Sequence, residues 1–178
     1  TNNTGNKKCP CQVFLESGLV LGTGSCTFKT SNKAIIFPEC MEHLHMIKSM
    51  FCIQCNLESV PKLPPNLEML EFSENIISKF APISLPKTLT NIVLSKNKLS
   101  EFPIKSLPSN VKWLDLANNK IESLDISDSS LEHLDVSNNH IKYLSCNKVL
   151  QYLNASGNAD IKINYCQSGR LDTLDISR

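Results

Sequence analysis

The sequence predicts a parallel β-solenoid closed at its N-terminal end by a small cysteine-rich cap. Three observations predict it. An apolar motif with one fixed asparagine recurs in steps of 19 to 22 residues, apolar positions inside each copy lie two apart, and six of the eight cysteines fall before residue 56.

The motif reads LxxLxLxxNxLxxL. Its clear copies are Leu67, Leu70, Phe72, Asn75, Ile77, Phe80; Leu89, Ile92, Leu94, Asn97, Leu99, Phe102; Val111, Leu114, Leu116, Asn119, Ile121, Leu124; and Leu131, Leu134, Val136, Asn139, Ile141, Leu144. Weaker copies flank them. Ile47, Met50, Cys52, Cys55, Leu57 and Val60 keep the phase with Cys55 in the asparagine slot. Leu150, Leu153, Ala155 and Asn158 also keep it, but the next apolar position falls on Asp160 or slips to Ile161. A last copy starts at Leu171, Leu174 and Ile176, so the copies begin near 47, 67, 89, 111, 131, 150 and 171.

A spacing of two is the period of a strand, so each copy predicts one short strand that stacks in parallel on the next. Its apolar residues turn inward. The asparagine sits where the chain leaves the strand, and its side chain can satisfy backbone groups of neighbouring turns that would otherwise be buried unpaired. These residues resemble the leucine-rich-repeat superfamily from about Ile47 to Arg178. Leu63-Pro-Pro-Asn-Leu67, Leu85-Pro-Lys-Thr-Leu89 and Leu107-Pro-Ser-Asn-Val111 look like the LPxxL subtype, which appears in bacterial effectors and in eukaryotic receptors and matrix proteins. The resemblance implies a leucine-rich-repeat solenoid of the α/β-type horseshoe class. Parallel strands would line its concave face, with loops, short extended segments or 3₁₀ turns outside.

Residues 1–46 are expected to form the cap, because a solenoid end exposes core and sheet edge unless covered. Val13 to Leu15 and Leu19 to Leu21 are strand candidates joined through Glu16-Ser17-Gly18, and Ala34 to Phe37 is another. Cys9, Cys11, Cys26 and Cys40 would staple a unit too small to hold itself by burial. Residues 47–178 carry the repeats. The last copy stops at Arg178, one residue before its asparagine is due, so the natural protein is expected to continue.

The length of 178 residues fits one domain, and 41% hydrophobic residues suffice for a core. A net charge of +1 argues against a nucleic-acid binder. No apolar run approaches a membrane span. The opening TNNTGNKK is polar, so a secretory leader would already have been removed. Eight cysteines in an even count read as a disulfide framework from an oxidising compartment.

Strand residues that do not point inward face the concave side. One column there holds Ser49, Met69, Asn91, Trp113, His133, Tyr152 and Thr173. The other holds Phe51, Glu71, Val93, Asp115, Asp135, Asn154 and Asp175. Trp113, His133 and Tyr152 form an aromatic row, beside which Asp115, Asp135 and Asp175 line up. Exposed Trp and Tyr dominate binding hot spots, so these residues, with Met69 and Glu71, are the candidate ligand contacts. The carboxylates favour a cationic or hydroxyl-rich ligand, a basic peptide or a glycan. Asp in that slot is also common in this repeat type, which is the plainer explanation.

Asn2-Asn3-Thr4 and Asn154-Ala155-Ser156 are glycosylation sequons, and a glycan on Asn154 would block part of the groove. Cys146 and Cys166 lie 15 and 16 residues into adjacent copies, so they are expected to pair; two buried thiols are the alternative. Pairing among Cys9, Cys11, Cys26, Cys40, Cys52 and Cys55 stays open. Cys52 and Cys55 with Cys40, His43 and His45 could be drawn as a zinc site, but repeat positions already explain both cysteines, and no metal or other cofactor is expected. A His133–Asp contact can be drawn, yet no nucleophile motif or Gly-rich loop accompanies it, so no enzyme is expected. The expected function is extracellular recognition of a protein, peptide or glycan by a receptor ectodomain of the innate-immune or cell-surface type. The alternatives are a secreted inhibitor, a matrix-binding structural repeat or an intracellular scaffold.

Overall fold

The structure, a computed structural model, describes residues 12–15, 20–21, 29–31, 34–36, 45, 47–60, 63–81, 85–164 and 169–177. Seven parallel strands, one per copy of the motif, form its spine: β5 (Ile47–Phe51), β6 (Met69–Glu71), β7 (Asn91–Val93), β8 (Trp113–Asp115), β10 (His133–Asp135), β12 (Tyr152–Asn154) and β14 (Thr173–Asp175). They are consecutive neighbours in one nine-stranded sheet. The solenoid makes about six turns.

At the β5 edge the direction reverses. Strand β1 (Gln12–Leu15) pairs antiparallel with β5, and β2 (Val20–Leu21) pairs antiparallel with β1. The exposed β5 edge of the repeats is thereby paired. A separate ribbon joins β3 (Lys29–Ser31) to β4 (Ala34–Ile36). The three strand candidates read in this segment exist, each within a residue of its expected bounds. Cys9, Cys11, Cys26, Cys40, His43 and Asn2 lie outside the described residues, and so do Cys166 and Arg178.

The outer segments differ from expectation. Among the described residues there is no α-helix, so the α/β label does not fit them. Instead β9 (Ser123–Asp125), β11 (Tyr143–Ser145) and β13 (Lys162–Asn164) form a second parallel sheet of three strands. One turn earlier that sheet stops. There Pro103 follows Phe102, and a proline has no N–H to give a ladder. The chain instead makes a 3₁₀ helix, Ile104–Ser106, flanked on its N-terminal side by Pro103. Turns of 19 to 22 residues leave too few outer positions for longer helices.

The inward positions of the motif are the core. Leu67, Leu70, Phe72, Leu89, Ile92, Leu94, Leu114, Leu116, Leu131, Leu134 and Val136 are fully buried. Each such side chain contributes roughly 1.5–3 kcal/mol by leaving water. Phe80 and Phe102 stack at 4.8 Å on the outer side of the core.

The asparagines complete it. Asn119 donates to the carbonyls of Leu116, Ala117 and Leu94, the last on the preceding turn, and accepts the Leu99 N–H at 3.0 Å. Asn75, Asn97, Asn139 and Asn158 repeat this arrangement. Every such residue is buried. The residue before each slot (Gln54, Glu74, Lys96, Asn118, Asn138, Gly157) has φ between 52° and 69°, the left-handed conformation that turns the asparagine inward. The ambiguous copy resolves in the same way. Asp160 takes φ 58° and stays outside, which swings Ile161 in against the core.

Candidate ligand-binding face

The parallel register sets the two concave columns as the sequence placed them. Met69 pairs with Asn91, Asn91 with Trp113, Trp113 with His133, His133 with Tyr152, and Tyr152 with Thr173. Beside them run Glu71, Val93, Asp115, Asp135, Asn154 and Asp175. No other chain element covers this face among the described residues.

The aromatic row is a stack. The rings of Trp113 and His133 lie 4.8 Å apart and 15° from parallel, and those of His133 and Tyr152 lie 6.1 Å apart and 20° from parallel. Strand spacing near 4.8 Å falls in the range of about 4.5–7 Å between centroids of offset-stacked rings, so the sheet itself sets the contact. Trp113 remains 43% exposed, whereas His133 and Tyr152 are half-buried. His133 is bonded to neither Asp115 nor Asp135; ring contacts take the place of the His–Asp contact that could be drawn from sequence.

The acidic column has a structural task. Asp115 accepts the Ala117 N–H at 2.9 Å, Asp135 that of Ser137 at 2.8 Å, and Asp175 that of Ser177 at 2.9 Å. Each carboxylate caps the chain as it leaves its strand. Their environments differ. Burial raises the Asp115 carboxyl, with Asp135 and Glu71 adding like-charge repulsion against the Ala117 and Ser95 hydrogen bonds. Bonds from Ser177 lower Asp175, which is fully exposed.

Asn154 is occupied. Its Nδ2 donates to Asp135 Oδ2 at 2.9 Å, and its Oδ1 accepts from the N–H and hydroxyl of Ser156. A glycan would have to attach at that bonded nitrogen on a half-buried side chain.

Cys52, Cys55 and Cys146 are each disulfide-bonded, and no described cysteine is free. A disulfide sulfur is no zinc ligand, which removes Cys52 and Cys55 from the zinc set. Among the described residues no cluster of His, Cys, Asp and Glu could hold a metal ion. No described helix is long and apolar enough to cross a membrane. Sequence reasoning missed the outer face of β9, β11 and β13, where Tyr143 is 54% exposed with the Lys162 ammonium 5.8 Å from its ring. Its only signal was the absence of proline after Leu124 and Leu144.

The Leucine Rich Repeat family model matches residues 130–148. No curated protein sequence matches the chain. Among solved structures it resembles YopM from Yersinia enterocolitica, with 29% identity and TM-score 0.66, over 78% of this chain and 30% of that one. It also resembles the leucine-rich-repeat domain of APL1B, with 21% identity and TM-score 0.71, over 83% and 48%. The domain of InlJ from Listeria monocytogenes, described as including a cysteine ladder, matches at 19% identity and TM-score 0.52, over 76% and 36%. The chain thus spans less than half the length of each. Motif, asparagine ladder, family model and structural likeness agree: the chain carries leucine-rich repeats and takes the leucine-rich-repeat fold.

Proposed function

We propose that this chain recognises a partner protein through the concave face and works outside the cell, as the ligand-binding part of a receptor ectodomain. The observation that carries the reading is the Trp113–His133–Tyr152 stack, in which Trp113 stays 43% exposed. A rigid aromatic row loses little side-chain entropy on binding, which suits it to anchor an interface. The protein-binding habit of the repeat fold supports the same reading, as an analogy of fold. The disulfide-bonded cysteines support an oxidising compartment. In this reading Cys146 pairs with Cys166, and the N-terminal cysteines staple residues 1–46 as a cap. Asn2 carries the glycan and Asn154 none.

A second reading has one observation behind it. The YopM of Yersinia pestis is described as a leucine-rich effector protein, and its structure matches at 28% identity and TM-score 0.66. A reducing host cytosol would break the bonds at Cys52, Cys55 and Cys146, so the extracellular reading is preferred.

The test uses paired baits. The chain and its Trp113→Ala/Tyr152→Ala variant are displayed on beads and offered membrane and secreted proteins of the source tissue. A partner held by the first and released at least tenfold more readily by the second supports the reading, since two hot-spot aromatics are worth about 2 kcal/mol or more. Equal retention by both, with both folded, overturns it. Peptide mapping without reductant checks the compartment. Linked Cys146 and Cys166 agree with it, and free thiols in the native protein overturn it.

A further inference from the structure

The two flanks of the aromatic row differ in charge balance. On the side where the strands begin, charges satisfy one another. Lys48 meets Glu68 at 2.8 Å and Lys112 meets Glu132 at 3.1 Å. On the other side, Glu71, Asp115 and Asp135 have no cationic partner among the described residues; Glu71 and Asp135 instead act on Asp115 as like charges. Among the described residues, this flank holds uncompensated negative charge.

The stack adds a direction. One face of the Trp113 ring is covered by His133; on its other side the register neighbour is Asn91 in β7, and the residue stays 43% exposed. Next to Asn91 in that strand is Val93, set between Glu71 and Asp115 in the adjoining column. Met69 is the register neighbour of Asn91 on its other side. Half-buried Val93 thus has a carboxylate residue on each side, and Trp113 lies diagonally across from it.

We infer that the place above Val93 is a notch that receives an arginine or lysine side chain from the protein partner, with its methylenes on Val93, its charge between Glu71 and Asp115, and its head against Trp113. An indole face attracts a cation, and paired carboxylates hold a guanidinium better than any neutral group. A glycan fits less well. Sugars stack on ring faces, and in this row the inner faces are already taken by neighbouring rings. The inference rests on the concave-face reading and adds the chemistry of its ligand.

The sequence contains one tryptophan, so the indole N–H signal of Trp113 reports the notch alone. The probes are the blocked tripeptides Gly-Arg-Gly and Gly-Glu-Gly and a trisaccharide of N-acetylglucosamine. The arginine peptide is expected to shift that signal saturably at millimolar concentration, while the other two leave it in place. Glu71→Gln and Asp115→Asn should each raise the midpoint about fivefold. Val93→Lys, which puts an ammonium in the notch itself, should abolish the shift. Thermal melts of each variant confirm folding. No saturable shift with the arginine peptide overturns the inference, as does an unchanged midpoint in both acid variants. A shift with the trisaccharide alone overturns it too but leaves the concave face a recognition surface. Retention of a partner by the double aromatic variant removes the wider reading whatever the tripeptides do.

Discussion

Asn119 shows how much one side chain does here. It serves three carbonyls and one N–H across two turns, all away from water. Asn119→Ala would leave the buried Leu99 N–H without a partner, and an unsatisfied buried group costs about 1–3 kcal/mol. With the lost donors included, a destabilisation of about 3 kcal/mol is expected in urea unfolding. Asp115 sits at the opposite extreme. Its carboxyl is raised by burial, so the folded state holds the proton more tightly than the unfolded one. Stability from this group therefore falls as pH rises from the ordinary carboxylate range through the folded value. Asp115→Asn, which keeps the oxygen that accepts from Ala117, should raise the melting temperature at pH 7 and lose that advantage below the carboxylate range. Asp175, lowered by Ser177, should behave in the opposite sense, with stability lost as pH falls through its folded value. Melts of the two Asn variants against pH check both signs.

Among elements, the inner strands were legible and the outer ones were not. The inner register follows from Leu, Leu and Asn at fixed intervals, because a slip of one residue would expose every leucine. The outer strand β9 has no such constraint. Leu124 points inward like Phe80 and Phe102, whether or not its backbone is extended, so the motif is silent about conformation. Pro103 was in plain sight, but its effect depends on there being a ladder to interrupt. Nor could the Asp column be divided between capping and binding, since both uses need the same residue in the same slot. The Phe80–Phe102 stack makes the outer side testable. Phe102→Ala should cost about 3 kcal/mol, and a double-mutant cycle with Phe80→Ala should show a coupling of about 1 kcal/mol.

For the whole molecule, stability is a chain of neighbour contacts, because each turn bonds only to the turn before and the turn after. Leu134 is fully buried between two turns, so Leu134→Ala should cost about 3 kcal/mol. A double-mutant cycle should show coupling between Leu134 and its register neighbour Leu114, and none between Leu134 and Leu70 two strands further on. Equal coupling in both pairs would argue against this neighbour-by-neighbour scheme.

The left-handed residue before each asparagine has a further consequence. Glutamate, lysine, asparagine and glycine all hold that conformation, while the bonds that matter run from one asparagine to the backbone of the preceding turn. No turn is therefore addressed to a particular neighbour. A gene encoding such a chain can recombine between any two copies of its repeat, gaining or losing a turn in frame, and each junction still meets its asparagine. The length of the concave face is thus free to change by whole turns, while the ring stack and the acidic column keep their internal spacing within the turns that carry them.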